Sequence, residues 1–194
     1  VASAREGRLR NLALQLGDSA ATGSFHMASE TGGEFEGELN IPSIQLDSWL
    51  AKDDENVDLA TEDAAAPMVG ATKGTPDFSL PTDVSGTFKI SVGGVNYQGG
   101  VVRQLGIALR MGDAHLGVES ATALLPGGSS VDLTGVLAAD AGKPRFSGRL
   151  KGSSDNLRGL LTWLDVDVAT VPFDRLTRLA YSSSIDASPD VFQV

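Results

Sequence analysis

The chain has 194 residues, a formal net charge of −10 and a pI near 4.5; 41% of residues are apolar, only 6% are aromatic, and there is no cysteine. This is room for one sizeable β domain or two small ones with a core of Leu, Val, Ile and Ala. The balance excludes disulfides and thiolate metal sites, and it opposes docking on nucleic-acid phosphates or anionic lipid, both of which need clustered Lys and Arg.

In chain order, Arg10–Leu16 alternates, with Leu12, Leu14 and Leu16 on one face of a half-buried strand. Gly17-Asp18 is a turn, and a strand over Thr22–Ala28 puts Phe25 and Met27 on one face. Glu30-Thr31-Gly32-Gly33 turns the chain into a third strand, Phe35–Ile41. Pro42 and Ser43 read as the start of a helix with Ser43 as N-cap, and Leu46, Trp49 and Leu50 sit at i, i+3 and i+4. From Lys52 to Asp83 the segment is acidic, rich in Ala and broken by Pro67, Pro76 and Pro81, which reads as a connection. Val57–Leu59 is a candidate edge strand within it.

Beyond it, Phe88, Ile90 and Val92 alternate, Gly93-Gly94 has the form of a two-residue hairpin, and Val95 and Tyr97 resume. Gly99-Gly100 is a second turn before a long strand, Val101–Met111, with Leu105, Ile107, Leu109 and Met111 on one face. After Gly112-Asp113 come Leu116, Val118 and Ser120, then Ala121–Leu125, with a bulge between them. Pro126-Gly127-Gly128 turns into a strand carrying Val131, Leu133, Gly135 and Leu137 on one face, and Arg145–Gly152 is the next. Ser153, Ser154 and Asp155 are alternative N-caps for a helix whose stripe is Leu157, Leu160, Leu161 and Leu164. Asp165–Pro172 is a loop, Leu176–Ala187 a strand, and Val191–Val194 begins another.

Turns every 8–12 residues indicate an antiparallel meander. The expected fold is mainly β with a few short helices, forming a curved, open sheet or β-groove in which a helix caps each repeat. Residues 1–52 form the first meander-plus-helix unit, 53–83 an acidic linker and 84–194 the second unit; one continuous domain is the alternative. Four landmarks recur in order: Arg10-Asn11-Leu12 and Arg103-Gln104-Leu105, Thr22-Gly23 and Thr134-Gly135, Phe35-x-Gly37-x-Leu39 and Phe146-x-Gly148-x-Leu150, Trp49-Leu50 and Trp163-Leu164. They suggest a duplication, with an extra hairpin in the second half.

No constellation suits catalysis. His26 and His115 lie far apart on strand patterns, with His26 facing away from Phe25 and Met27. No serine occupies a Gly-x-Ser-x-Gly elbow, and Gly127-Gly128-Ser129-Ser130 opens a strand, so it lacks the helix N-terminus of a phosphate cradle. Asp53-Asp54-Glu55 with Asp58, Glu62 and Asp63 lacks the order of a calcium loop and reads as a solvated linker. Asp165 and Asp167 read as a solvated helix end. Trp49 and Trp163 beside Leu read as packing against the sheet, with anchoring at a lipid or partner surface as the alternative. The chain is therefore read as non-enzymatic, with no catalytic, cofactor or metal residues.

Leu125–Leu164 and the tail to Val194 resemble the AsmA-like family of bacterial envelope proteins, with its TamB-type relatives. The resemblance rests on Leu125-Pro-Gly-Gly-Ser-Ser before a strand, Phe146-Ser-Gly148-Arg-Leu150-Lys-Gly152, the Asp155-Asn-Leu157-Arg-Gly-Leu160-Leu161 helix and Ser182-Ser-Ser-Ile185-Asp-Ala-Ser-Pro189-Asp. It spans residues 84–194, weakens over the first half and is absent from the linker. It implies a curved antiparallel groove, apolar inside, in a periplasmic protein anchored to the inner membrane and linked to outer-membrane biogenesis or phospholipid transport. It brings no catalytic residues.

The sequence contains no apolar run of the ~20 residues a membrane helix needs. Because the chain opens on Val1 without a signal peptide, the anchor is expected outside this segment. Candidate lipid-facing residues are Phe88, Ile90, Leu105, Ile107, Leu109, Leu116 and Val118. Expected partners are phospholipid or another acyl-chain lipid and envelope proteins, with no nucleic acid. The rival reading is a structural or protein-interaction β-repeat module of the envelope or surface that binds no lipid.

Overall fold

A computed structural model describes residues 5–16, 19–29, 33–48, 50, 78–189 and 191–193. Three strands come first: β1 (Arg5–Leu16), β2 (Ser19–Ser29) and β3 (Gly33–Gln45). After β3, residues 46–48 and 50 are helical. Five long strands follow: β4 (Val84–Tyr97), β5 (Gly100–Gly112), β6 (His115–Leu125), β7 (Ser129–Asp140) and β8 (Lys143–Ser154). Helix α1 (Leu157–Trp163) and a 3-10 turn (Phe173–Arg175) precede β9 (Leu179–Ser188) and β10 (Val191–Gln193). The strands form one open, ten-stranded sheet in sequence order.

All neighbours pair antiparallel except β3 and β4, which run parallel. The expected meander therefore holds except at this one junction. A parallel pair needs a crossover of about a dozen residues or more, and the connection between Gln45 and Val84 is long enough to supply it. The linker expected at 53–83 lies mostly outside the described residues, as do Val57–Leu59, Trp49 and the Gly17-Asp18 turn.

The second-half hairpins turn through left-handed residues. Gln98 and Gly99 have φ of 48° and 70°, Asp113 and Ala114 of 52° and 57°, Ala141 and Gly142 of 50° and 76°. Paired positive φ values are those of a type I′ turn, whose twist matches the flanking strands. The first two turns lie one residue from the Gly99-Gly100 and Gly112-Asp113 positions expected, because strand register rather than the glycine alone sets the corner.

Gly93-Gly94 is not a hairpin: both residues lie inside β4. The glycine serves close approach, since a Cβ at Gly93 would sit 2.6 Å from the Pro42 carbonyl oxygen on β3. Pro42 and Ser43 correspondingly belong to β3, so Ser43 caps no helix. The helix after β8 begins one residue later than its expected caps. Ser153 and Ser154 complete β8, and the Asn156 Oδ1 accepts the Gly159 amide as N-cap at 3.0 Å.

The core lies where alternation resets in β3, β4 and β5. Ile41, Val92, Val95 and Ala21 are buried together, with Ile44, Val102, Leu105 and Leu46 packed against them. Ile41 and Ile44, Val92 and Val95, and Val102 and Leu105 are each three apart, a spacing that puts side chains on opposite faces of a straight strand. All three pairs share one cluster, so alternation resets in one row, through Pro42, Gly93 and Gln104. Gln104 takes the left-handed conformation there, at φ 52°. Residues 46–48 fold over this end, and Leu46 completes the cluster.

Elsewhere aromatic rings lie over glycines of adjacent strands. Phe35 and Gly86 are partners across β3 and β4, as are Gly37 and Phe88. A Cβ at Gly37 would overlap the Phe88 ring and sit 3.2 Å from Phe25. Phe146 covers Gly135 and Gly148, and Tyr181 covers Gly152, with rings 2.5–2.9 Å from where a Cβ would be. The Phe-x-Gly landmarks are thus one device: the glycine leaves the space that the ring fills. Gly37→Ala is expected to cost about 1–3 kcal/mol through overpacking. In a Phe88→Ala background the same change costs at least ~1 kcal/mol less, a coupling read from a double-mutant cycle in urea; additive costs would contradict the ring-on-glycine account.

Candidate functional site: the apolar sheet face

The candidate residues share one face. Phe88 is opposite Leu109, which is opposite Val118; Ile90 is opposite Ile107; Val92 is opposite Leu105; Met111 is opposite Leu116. Residues directly opposite in a ladder point to the same side. Phe88, Ile90, Leu105, Ile107, Leu109, Leu116 and Val118 therefore form one patch on β4, β5 and β6, each partly buried.

This register requires the β6 bulge. Leu109 pairs with Val118 and Ile107 with Ala121, so partners that are two apart on β5 are three apart on β6, which carries one extra residue there. The bulge returns Ala121 and Ala123 to the apolar face, where Val131 and Leu133 of β7 meet them.

The face extends in both directions beyond the residues singled out from sequence. Gly37, Leu39 and Ile41 flank Phe88, Ile90 and Val92, and Phe25 stands beside Gly37. The Phe25 and Phe35 rings stack with centroids 6.2 Å apart. On the other side, Leu137 pairs with Phe146 and Leu133 with Leu150. The same period-2 alternation carries these positions, so they were available to the reading that found the central seven.

No second layer covers this surface among the described residues. Each strand's extensive contacts are with its neighbours in the sheet. Among the described residues the buried apolar side chains are Ala21, Ile41, Val92, Val95, Ala123 and Val168, and no large side chain is fully buried. Toward the β1 and β9 edges the face is open, with Leu9 56%, Met27 42% and Tyr181 38% exposed. Among the described residues, cover is found at the end where alternation resets. There Trp163 donates from Nε1 to the Tyr97 carbonyl at 2.9 Å and meets the Tyr97 ring edge-on. Trp163 is thus a packing residue against the β4–β5 hairpin. The Asp47 carboxylate accepts the Gln98 amide at the same hairpin.

The opposite face is charged, and some of its charges pair across strands. The Glu6 carboxylate lies 2.7 Å from Arg8 and 3.0 Å from His26 Nε2, joining β1 to β2. Its pKa is held below the usual value, chiefly by the His26 hydrogen bond and then by the Arg8 charge. Arg110 pairs with Glu119 at 2.5 Å. Arg145 on β8 grips Asp186 on β9 through Nε and Nη2, at 3.0 and 2.8 Å, and Asp140 on β7 through Nη1 at 3.0 Å. Arg145 donation lowers the Asp186 pKa below its ordinary value of 3.8. Sequence reading missed these clamps, because partners 20 and 41 residues apart leave no local pattern.

The remaining sequence candidates do not converge. His26 points to the charged face, as expected, and His115 Nδ1 sits 2.6 Å from the Asp113 carbonyl on a turn. Gly127 and Gly128 do form a turn, with φ of 77° and 64°, and Ser129 donates to Ser154 at 2.8 Å beneath it. The Gly127 and Gly128 carbonyls accept the Asn156 and Asp155 amides, which ties this turn to the start of α1. Asp167 accepts the Ala169 amide, and Asp165 is exposed. The acidic run from Asp53 to Asp63 lies outside the described residues. Among the described residues no group of three or more His, Asp or Glu could hold a metal, and no helix is long and apolar enough to cross a membrane.

Comparison with protein-family models, with curated proteins and with solved structures finds no match in any of the three.

A carboxylate with a depressed folded-state pKa contributes stability that is present above its unfolded-state pKa and lost as pH falls through the folded one. Asp186 should thus help hold β8 to β9 at neutral pH and lose that contribution as pH falls from about 3.8 through its lowered folded-state pKa. Thermal melts from pH 6 to pH 2 should show a shallower acid decline for Asp186→Asn than for the parent chain. Parallel declines would show that the clamp contributes nothing.

Proposed function

We propose that this chain is a non-enzymatic β-sheet segment of an AsmA-like envelope protein, periplasmic and held at the inner membrane by an anchor elsewhere in the protein. Its apolar face contacts the acyl chains of phospholipid, and through that contact it contributes to outer-membrane biogenesis or phospholipid transport. The observation that supports this most is the continuous apolar face from β1 to β9 with no second layer over it among the described residues. Acyl chains are a fitting cover because the central patch has no charged side chain to hold a headgroup, and each CH₂ removed from water is worth ~0.8 kcal/mol.

The finer architecture, a curved groove with a helix at the end of each repeat, belongs to the same proposal. The shared reset of alternation in β3, β4 and β5 supports curvature, since such a reset bends strands. Asn11 and Gln104, middle residues of matching landmarks, both take left-handed φ, 53° and 52°, and both sit at register shifts. The two runs differ by two described strands, however: β1 to β3 precede the first helical segment, whereas β4 to β8 lie between it and α1. The repeat is thus one of local devices more than of a superimposable unit.

A structural or protein-interaction module is the second reading. It is favoured by β1, a 12-residue strand with no neighbour on its outer side among the described residues. Such an edge can accept a partner's strand.

Native mass spectrometry with solvent extraction discriminates the two. The lipid reading predicts co-purifying phospholipid that Ile107→Asp on the apolar face reduces about tenfold, roughly 1.4 kcal/mol. Ser91→Asp on the opposite face should leave it unchanged. A chain that is free of lipid and exchanges none, yet captures an envelope protein, would replace this reading with the second.

A further inference from the structure

The stretch between α1 and β9 presents apolar groups to solvent on a braced support. Phe173 is 82% exposed, the highest value for any large apolar side chain described, and Leu164 and Val166 of the same stretch are 49% and 46% exposed. The support is specific. Arg158, on the first turn of α1, donates to the Val168 carbonyl at 2.8 Å and to the Val171 carbonyl. Its guanidinium carbon lies 4.3 Å from the centroid of the Phe173 ring. The Leu157 and Arg158 amides donate to the Thr177 and Leu176 carbonyls, closing the loop from its other side. A ring held this way is displayed outward by hydrogen bonds and a cation–π contact.

We infer that this stretch docks on the interface of a phospholipid bilayer, with Phe173 inserted at the headgroup–acyl boundary and Arg175 and Arg178 at the phosphate layer. The choice of lipid as partner rests on the reading proposed above; the choice of residues does not. Patch size favours a bilayer over a protein: these three side chains offer about 300 Å² of apolar surface, against the ~800 Å² per partner of a stable protein interface. A bilayer accepts one or a few apolar side chains with cations beside them. Arg175 and Arg178 are exposed and only loosely paired, with Asp174 at 4.0 Å and Asp155 at 3.5 Å. The stretch carries Asp165, Asp167 and Asp174 against Arg175 and Arg178, with Arg158 of α1 beneath it, so it has no net attraction to anionic lipid, and a zwitterionic surface suits it.

Flotation of the 194-residue chain with phosphatidylcholine vesicles tests this. The parent chain should float, in a manner nearly independent of salt. Phe173→Ser should cut the bound fraction at least fivefold with its β circular dichroism unchanged. Phe173→Trp should still float and gain fluorescence that brominated acyl chains quench. A parent chain that stays at the bottom of the gradient, or a Phe173→Ser chain that floats equally well, overturns the inference. Vesicle binding that depends on Phe173 in a chain without lipid on its sheet would refute the sheet reading and leave this one standing. Lipid on the sheet without Phe173-dependent flotation would do the reverse.

Discussion

Hydrophobic burial in this chain is lateral. A single sheet without a second layer can shield an apolar side chain only with neighbours on the same face, about 5 Å away across the strands. That constraint accounts for the burial pattern of the described residues, in which the central apolar side chains are partly covered and no large one is fully buried. It also accounts for the glycines. A ring standing upright would expose both its faces, whereas one laid over a glycine on the next strand covers backbone and is covered in turn. Phe35 on Gly86, Phe88 on Gly37, Phe146 on Gly135 and Gly148, and Tyr181 on Gly152 all do this.

The two faces divide the work of holding the sheet together. On the charged face, Glu6 with Arg8 and His26, Arg110 with Glu119, and Arg145 with Asp140 and Asp186 cross strand boundaries. These pairs are exposed and individually weak, but they fix register, and a slip of one residue would carry the whole apolar set to the wrong side. The shared reset of alternation in β3, β4 and β5 then gathers Ile41, Val92 and Val95 into the well-buried cluster of the described residues, at the end that Leu46 closes. The remainder of the apolar face is supported but, among the described residues, uncovered, and the proposed lipid contact follows from that difference.

Much of this was legible in the sequence. Alternation in Phe88–Val92, Leu105–Met111 and Val131–Leu137 assigned strands and faces correctly, and the step from Val118 to Ala121 betrayed the β6 bulge. What failed was the reading of punctuation. Gly93-Gly94 and Pro42-Ser43 look like a turn and a helix start because glycine and proline usually mark such places. Here they face each other across β3 and β4, where a close backbone approach needs a residue without Cβ. That role depends on a partner strand some fifty residues away, as does the parallel pairing itself, and local sequence does not encode either. The Arg145 and Glu6 clamps were hidden for the same reason, and so was the Arg158 brace under Phe173.

The central claim is that the apolar face is where acyl chains lie. Adjacent residues of β5 test it most directly, since Leu109 belongs to that face and Ala108 to the other. A photoreactive amino acid placed at each position, irradiated in cells that make the chain, should yield lipid adducts at 109 and essentially none at 108. Adducts absent from 109, or equally abundant at both positions, would contradict the account.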